Sequence, residues 1–509
     1  MNDPELQPAA HQVVEISAPQ RNISESSPHH RSEQFAQAIL LIVLFAAPAL
    51  VCLHSACVND PDIWWHLRTG QWIQQHHTLP RTDPFSSDLA GKPWAAYSWL
   101  FELLVYQLVQ HLGLVGIVVY SAAMVLAITA ALHHLVNRLQ RDFSLGVLIT
   151  LAACLSIGHL FTPRPWLFTI LLFVLELDIL MYARKTARLR ELAWLPVIFA
   201  LWANIHIQFI NGLLVLALVL AESILARWWP QITTRIRPIP LAAAALASLL
   251  ATMANPYGWH IYRIASDLAT QSGVMSKISE LQAIPFRDVV DYAVLGLALA
   301  ATAVLARRPQ PPPLESALLA FAILLSFRSQ RDVWIMAAVA SAILASRLTG
   351  SEKAQNRLPA YIPPLSALLA GLVVALALPV MHITNPRLQN LLAESMPVHA
   401  VDTVRARGYA GPLFNDFNWG GYLIWSLRLP VSIDGRAALH GDDRINRSIA
   451  TWDAHPDWAT DPQLTSAALV IGPVNAPLTQ LLRIDPHFDL VFDDKLATVF
   501  VRHKPHQTP

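Results

Sequence analysis

Residues 36–57, AQAILLIVLFAAPALVCLHSAC, are dominated by apolar side chains, and residues 58–77, VNDPDIWWHLRTGQWIQQHH, follow at once with acids, histidines and tryptophans. The first stretch is long enough for a helix to cross a hydrocarbon core about 30 Å thick, which needs around 20 apolar residues. The second has the form of a helix lying along a membrane surface. Asp60 followed by Pro61 reads as an N-cap with proline at the first helical position. A helix over roughly 62–76 would then hold Trp64, Trp65 and Trp72 at headgroup depth.

The remainder of the chain repeats the first pattern. Of 509 residues, 54% are hydrophobic and only 14% charged, and the mean hydropathy is +0.40. A soluble domain carries roughly 25% charged residues, so this composition cannot clothe a soluble surface. Lys and Arg (36) balance Asp and Glu (35), which excludes a basic nucleic-acid binder. Three cysteines exclude a disulfide scaffold, and Cys52 and Cys57, inside the first apolar run, read as small hydrophobes that are not expected to form a disulfide. Ten further runs have spanning character, at roughly 114–136, 143–160, 166–183, 192–209, 211–227, 239–254, 290–306, 314–327, 332–347 and 360–380. The run 97–111 is interrupted by Glu102, Gln107, Gln110 and His111, and suits an interfacial helix better than a span.

Positive charge orients these eleven spans. With the N-terminus cytoplasmic, five loops on that side hold fourteen basic residues, among them Arg138, Arg184, Lys185, Arg237, Arg308 and Arg347. The opposite side holds nine, spread over about twice the length. No cleavable signal peptide is visible, and residues 1–35, polar and rich in Ser, Pro, Gln and His, read as a disordered cytoplasmic tail. The expected architecture is a polytopic α-helical membrane domain over 36–380, with its first outer loop at 58–96. A small α/β domain over 381–509 follows on the outer side, where strand-like GPLFNDF, PVSIDGR, AALVIGP and FDLVFDDKLATVFVRH alternate with helical WGGYLIWSL and APLTQLLRID.

That topology sorts the polar residues by side. Asp60, Asp62, His66, Lys92, Glu102, His159, Arg164, Asn204, His206, Glu280, Arg328, Arg331 and Asp332 all fall near the outer face, so chemistry is expected there. Asp62 and His66, four apart, share one helix face. A carboxylate here would act as general base with His66 as orienter or second acid/base, while Asp60 reads more simply as a cap. The Asp60-Pro61-Asp62 spacing also resembles a site for Mg²⁺ or Mn²⁺, though two carboxylates under-specify one. Lys92 before Pro93, Arg164 between two prolines in TPRPW, and Arg328 with Arg331 in RSQR are cations suited to phosphate. His206, in WANIHIQF, is a candidate pocket wall, and Trp419, Tyr422 and Trp425 pack a helix or stack on sugars.

An acidic motif after the first span, a juxtamembrane amphipathic helix, a Lys-Pro step and many spans resemble the GT-C superfamily of membrane glycosyltransferases. That superfamily includes the protein O-mannosyltransferases and the aminoarabinose lipid A transferases. DPDIWWHLRTGQWI (60–73), TDPF (82–85), GKPW (91–94), NPYG (255–258), FNDFNWGGYLIW (414–425) and IDGRAALHGD (433–442) are most similar to a group of bacterial GT-C-like membrane proteins. The resemblance implies transfer of a sugar from a polyprenyl-phosphate or pyrophosphate carrier, on the outer face of the inner membrane. It places the catalytic base at Asp62 or Asp60, and a phosphate-contacting lysine at Lys92. A transporter or non-catalytic scaffold for envelope polysaccharide assembly is the alternative. It would place polar residues near mid-membrane rather than at one face.

Overall fold

The computed structural model describes residues 28–55, 57–232, 234–270, 278–348 and 358–503. Each of the eleven apolar runs is helical. Five of these helices are long and apolar enough to cross a membrane: Arg31–Ser55 within the helix Pro28–Ser55, then Val115–Leu139, Trp166–Thr186, Val289–Ala306 and Ile362–Val380. Three shorter apolar helices, Phe143–Ser156, Phe209–Leu225 and Pro238–Ala251, accompany them. The chain is therefore a helical membrane protein, with five apolar helices of spanning length and several shorter ones among the described residues.

Two boundaries moved for identifiable reasons. The first helix begins at Pro28, so residues 28–35, expected in the tail, extend the helix; the tail over 1–27 lies outside the described residues. The run 192–209 is divided. Arg190–Trp194 forms a 3-10 turn, the helix covers only Leu195–Ile205, and His206 is extended (φ −154°, ψ 142°) where the backbone turns into Phe209–Leu225.

At the centre lies Val333–Arg347, whose residues 333 to 345 are all buried. Ala337, Ala338, Ala340, Ser341, Ala342 and Ala345 give it a small-residue surface that lets neighbours approach closely, as helices do where the lipid itself offers no hydrophobic drive. Val115–Leu139, Phe143–Ser156, Trp166–Thr186, Val289–Ala306 and Pro313–Arg328 pack around it. The rim keeps an apolar face outward, with Leu365, Leu368, Leu372 and Leu376 of Ile362–Val380 exposed. Water would not tolerate such a stripe, and lipid requires it.

The two helices expected near 62–76 and 97–111 both form. Ile63–His76 packs against Trp99–Leu112, with Gly70 at the crossing: a Cβ there would stand 2.1 Å from the Glu102 carbonyl oxygen. The C-terminal region holds a four-stranded sheet, β1 (Leu413–Asn415), β2 (Leu469–Pro473), β3 (Phe488–Asp493) and β4 (Ala497–Arg502), in the order β1-β2-β4-β3. β1 runs parallel to β2, and the other pairings are antiparallel. PVSIDGR, expected as a strand, is not one. Val431 makes only single bridges, to Leu413 and to Ser86 of the segment 58–96. The segment turns away at Asp434–Arg436 instead, and Gly420–Leu427 seats on Ile63–His76, with Tyr422 edge-on to Trp64 at 5.1 Å between ring centroids.

Candidate active site

The turn after the first helix is built by Asp60. Its Oδ1 accepts the backbone N–H groups of Asp62 (2.9 Å) and Ile63 (3.3 Å); the helix starts at Ile63, so Asp62 and not Asp60 holds the N-cap position, and Pro61 lies outside the helix rather than at its first position. The same carboxylate accepts two bonds from Arg164 Nε, at 2.9 and 2.7 Å. Arg164 Nη1 donates to Asp62 Oδ2, and Nη2 donates to Glu280 Oε1 at 3.1 Å. One guanidinium thus joins three carboxylates from segments 100 and more residues away. Pro163 and Pro165 stiffen its backbone, and the Tyr120 hydroxyl fixes its carbonyl at 2.9 Å.

This arrangement decides the state of Asp62. Burial raises its carboxyl, Arg164 lowers it, and Asp60 and Glu280 raise it again; the outcome is a pKa of about 7. A carboxylate poised there takes a proton from an acceptor far better than an ordinary aspartate.

Asp62, His66, Lys92, Arg164, His206 and Arg331 all line one cavity of about 610 Å³. Its wall also includes Arg81, Trp94, Tyr97, Glu102, Gln208, Glu280 and residues 435–439. Asp60 stands behind Asp62 rather than on the wall.

Three expected roles change. His66 pairs through Nδ1 with Glu102 Oε1 at 3.1 Å, not with Asp62. Burial lowers His66 and raises Glu102, which favours the neutral form of both. Arg164 was expected to hold phosphate, but its fork is given to three carboxylates, a cluster whose net negative charge repels an anion. Arg328, at the end of Pro313–Arg328, is exposed and does not line the cavity. Arg331, three residues on, sits in the 3-10 turn Gln330–Asp332, and its Nε is buried without a hydrogen-bond partner. Asp332, which could have paired with it, instead accepts from Gln208 Nε2 at 2.7 Å. His206 Nδ1 lies 2.8 Å from the Thr169 hydroxyl, which itself accepts the Trp202 indole N–H.

The C-terminal region completes the wall. Gly435 abuts Asp62, where a Cβ would stand 1.9 Å from Oδ1. Arg436 donates to Asp83 at 2.7 Å and to Asp434 at 2.6 Å, between the faces of Phe85 and Trp94. Burial alone would raise the Asp434 carboxyl, but Arg436 and His440 outweigh it and hold it far below the usual range. Lys92 Nζ donates to the Leu439 carbonyl at 2.5 Å. IDGR and GKPW were conspicuous in the sequence, but nothing local revealed that they meet.

As to metals, among the described residues no group of three His, Cys, Asp or Glu side chains converges to hold an ion. The Arg164 guanidinium pairs with both Asp60 and Asp62, the two carboxylates of the Asp-Pro-Asp turn.

The fold is similar to that of a solved archaeal oligosaccharyltransferase. The chain is similar to an Archaeoglobus fulgidus oligosaccharyltransferase tethered to an acceptor peptide by a disulfide (TM-score 0.54, 11% identity, 88% of this chain and 70% of that one). It is equally similar to the apo form of that enzyme (TM-score 0.55, 11% identity, the same coverage). A further similar structure is ArnT of Cupriavidus metallidurans bound to undecaprenyl phosphate (TM-score 0.48, 14% identity, 90% and 97% coverage). No protein-family profile matches the chain, and no curated protein matches its sequence.

Proposed function

We propose that this protein is a glycosyltransferase of the bacterial inner membrane that moves a sugar from a polyprenyl-phosphate or pyrophosphate carrier to an acceptor on the outer face. In this reading the N-terminus is cytoplasmic and the C-terminal region lies outside. The observation that carries it is one cavity holding a carboxyl poised near neutrality, Asp62, together with the cations Arg331, Lys92 and Arg81. An inverting displacement needs both: a base for the nucleophile and charge for the leaving phosphate.

The acceptor hydroxyl or amine attacks the anomeric carbon, and its proton passes to the Asp62 carboxylate. The bond from that carbon to the phosphate oxygen breaks, and the electron pair leaves with the carrier phosphate, held by Arg331, Lys92 and Arg81. Arg164 positions Asp62 and supplies the positive charge that a bound cation would otherwise bring to the Asp-Pro-Asp turn. His66 and His206 shape the wall as neutral rings.

Transfer from a polyprenyl phosphate carrying a labelled sugar, measured in proteoliposomes, tests the assignment. Asp62→Asn should lower it by about 10²–10⁴-fold, the usual share of a general base, while the variant inserts and melts like the parent. Full transfer by both Asp62→Asn and Asp60→Asn would remove the base.

A further inference from the structure

Two thiols beside the site stand apart from the transfer chemistry. Cys52 lies in the last turns of Pro28–Ser55, and Cys57 opens the 3-10 turn Cys57–Asn59 that leads into Asp60. Sequence suggested that both merely fill an apolar run. In the structure their sulfurs are 3.3 Å apart. Both face one acceptor, the Phe161 carbonyl, at 3.8 Å from Cys52 Sγ and 3.6 Å from Cys57 Sγ. Two sulfurs already in contact close to the bonded distance of about 2.05 Å by small side-chain rotations.

We propose that Cys52 and Cys57 are a disulfide-forming pair, oxidised on the outer side of the membrane to staple the end of the first helix to the turn that carries Asp60. The chemistry of the pair supports this. Cys52 is buried and Cys57 half-buried, an arrangement of an accessible attacking thiol beside a sheltered resolving one. Hydrogen bonding from Cys52, reinforced by Ser55, lowers the Cys57 thiol.

The oxidant is a disulfide donor of the oxidising compartment. The Cys57 thiolate attacks one donor sulfur, forming a mixed disulfide and releasing the other donor sulfur as a thiolate. Cys52 passes its proton to that thiolate and attacks Cys57 Sγ, displacing the second donor sulfur. Two S–H bonds are lost from the protein, one S–S bond forms, and the donor is reduced by two electrons to a dithiol. Cys154 is a built-in control. It is buried between helices, with its thiol 3.6 Å from the Thr129 hydroxyl, and no second cysteine is described beside it.

The inference rests on the outward orientation proposed above, only for the source of the oxidant. Its test is thiol counting on the full chain, quenched and alkylated in denaturant so that burial cannot mimic a disulfide. Protein taken from cells should show one alkylated thiol of three before reduction and three after it. Cys57→Ser should show two before reduction. Three alkylated thiols in the parent, even after incubation with oxidised glutathione, would overturn the pairing. Three from cells but one after oxidised glutathione would uphold the pairing and contradict the outward orientation, with no reference to transfer activity.

Discussion

The two ends of Trp166–Thr186 lie about 30 Å apart, at about 1.5 Å per residue, and each end carries a buried charge cluster of a different kind. At the C-terminal end, two arginines meet two glutamates. Arg184 pairs with Glu222 (2.7 Å) and Glu315 (3.0 Å), and Arg347 closes onto the same Glu315. Beside them Arg138 pairs with Asp178 (2.5 Å) and Glu191 (2.6 Å). At the N-terminal end, charges are unmatched. Arg164 faces three carboxylates, while across the cavity Arg331 has no carboxylate among its described partners. A matched, closed cluster holds helices together. An unmatched one that opens on a cavity leaves charge available to a substrate. The contrast separates arginines that join helices from those that border the cavity.

The largest expected effect tests the matched end. Glu315→Ala leaves Arg184 and Arg347 facing each other in a buried setting, and losing one partner of a buried ion pair costs about 3–5 kcal/mol. A thermal melt in detergent should drop sharply, while the folded fraction keeps the parent's KM for the lipid donor. A changed KM would mean the two ends are not separate in role.

Gly435→Ala probes the unmatched end without removing a charge. The new methyl must push the Asp62 carboxylate aside, and displacing a reacting group by about 1 Å can cost up to about 100-fold. The expected signature is a fall in kcat with KM little changed.

Arg331→Ala should raise the donor KM by roughly 10- to 100-fold, the value of a hydrogen bond to a charged group at about 1.5–3 kcal/mol. The melting temperature should stay at the parent value. Arg328→Ala, on the same short segment but away from the cavity, should leave both unchanged.

The smallest effect is in pH. Asp62 must be deprotonated to accept a proton, and its carboxyl titrates at about 7. kcat/KM should therefore fall about fivefold between pH 7 and pH 6, about tenfold more by pH 5, and level off above neutrality. A profile flat down to pH 5 would show that an ordinary carboxylate, or none, is the base.

Much of this contrast could be read from the chain, because apolar runs and the sign of flanking charge are local signals. Asp62, Lys92, Arg164, His206 and Arg331 were singled out by their crowding at one face, and the fold brings all five to one cavity. The pairing of those charges was not legible. Glu280 reaches Arg164 across 116 residues, and Gly435 and Arg436 approach the segment 58–96 across more than 350. Helical phase mattered too. Arg328 and Arg331 are alike in sequence, yet one ends a helix facing away and the other sits in a 3-10 turn facing in. Nor did positive-inside counting reveal that Arg138, Arg184 and Arg347 meet carboxylates carried in by helix ends and turns.

The most direct test of the account is a structure of the protein with a polyprenyl phosphate bound. The account predicts the phosphate against Arg331 and Lys92, across the cavity from a free edge of Asp62, with Arg164 still held by its three carboxylates. A phosphate seated on Arg164 in place of Asp60 and Asp62, or bound at the Arg184–Arg347 end, would contradict it.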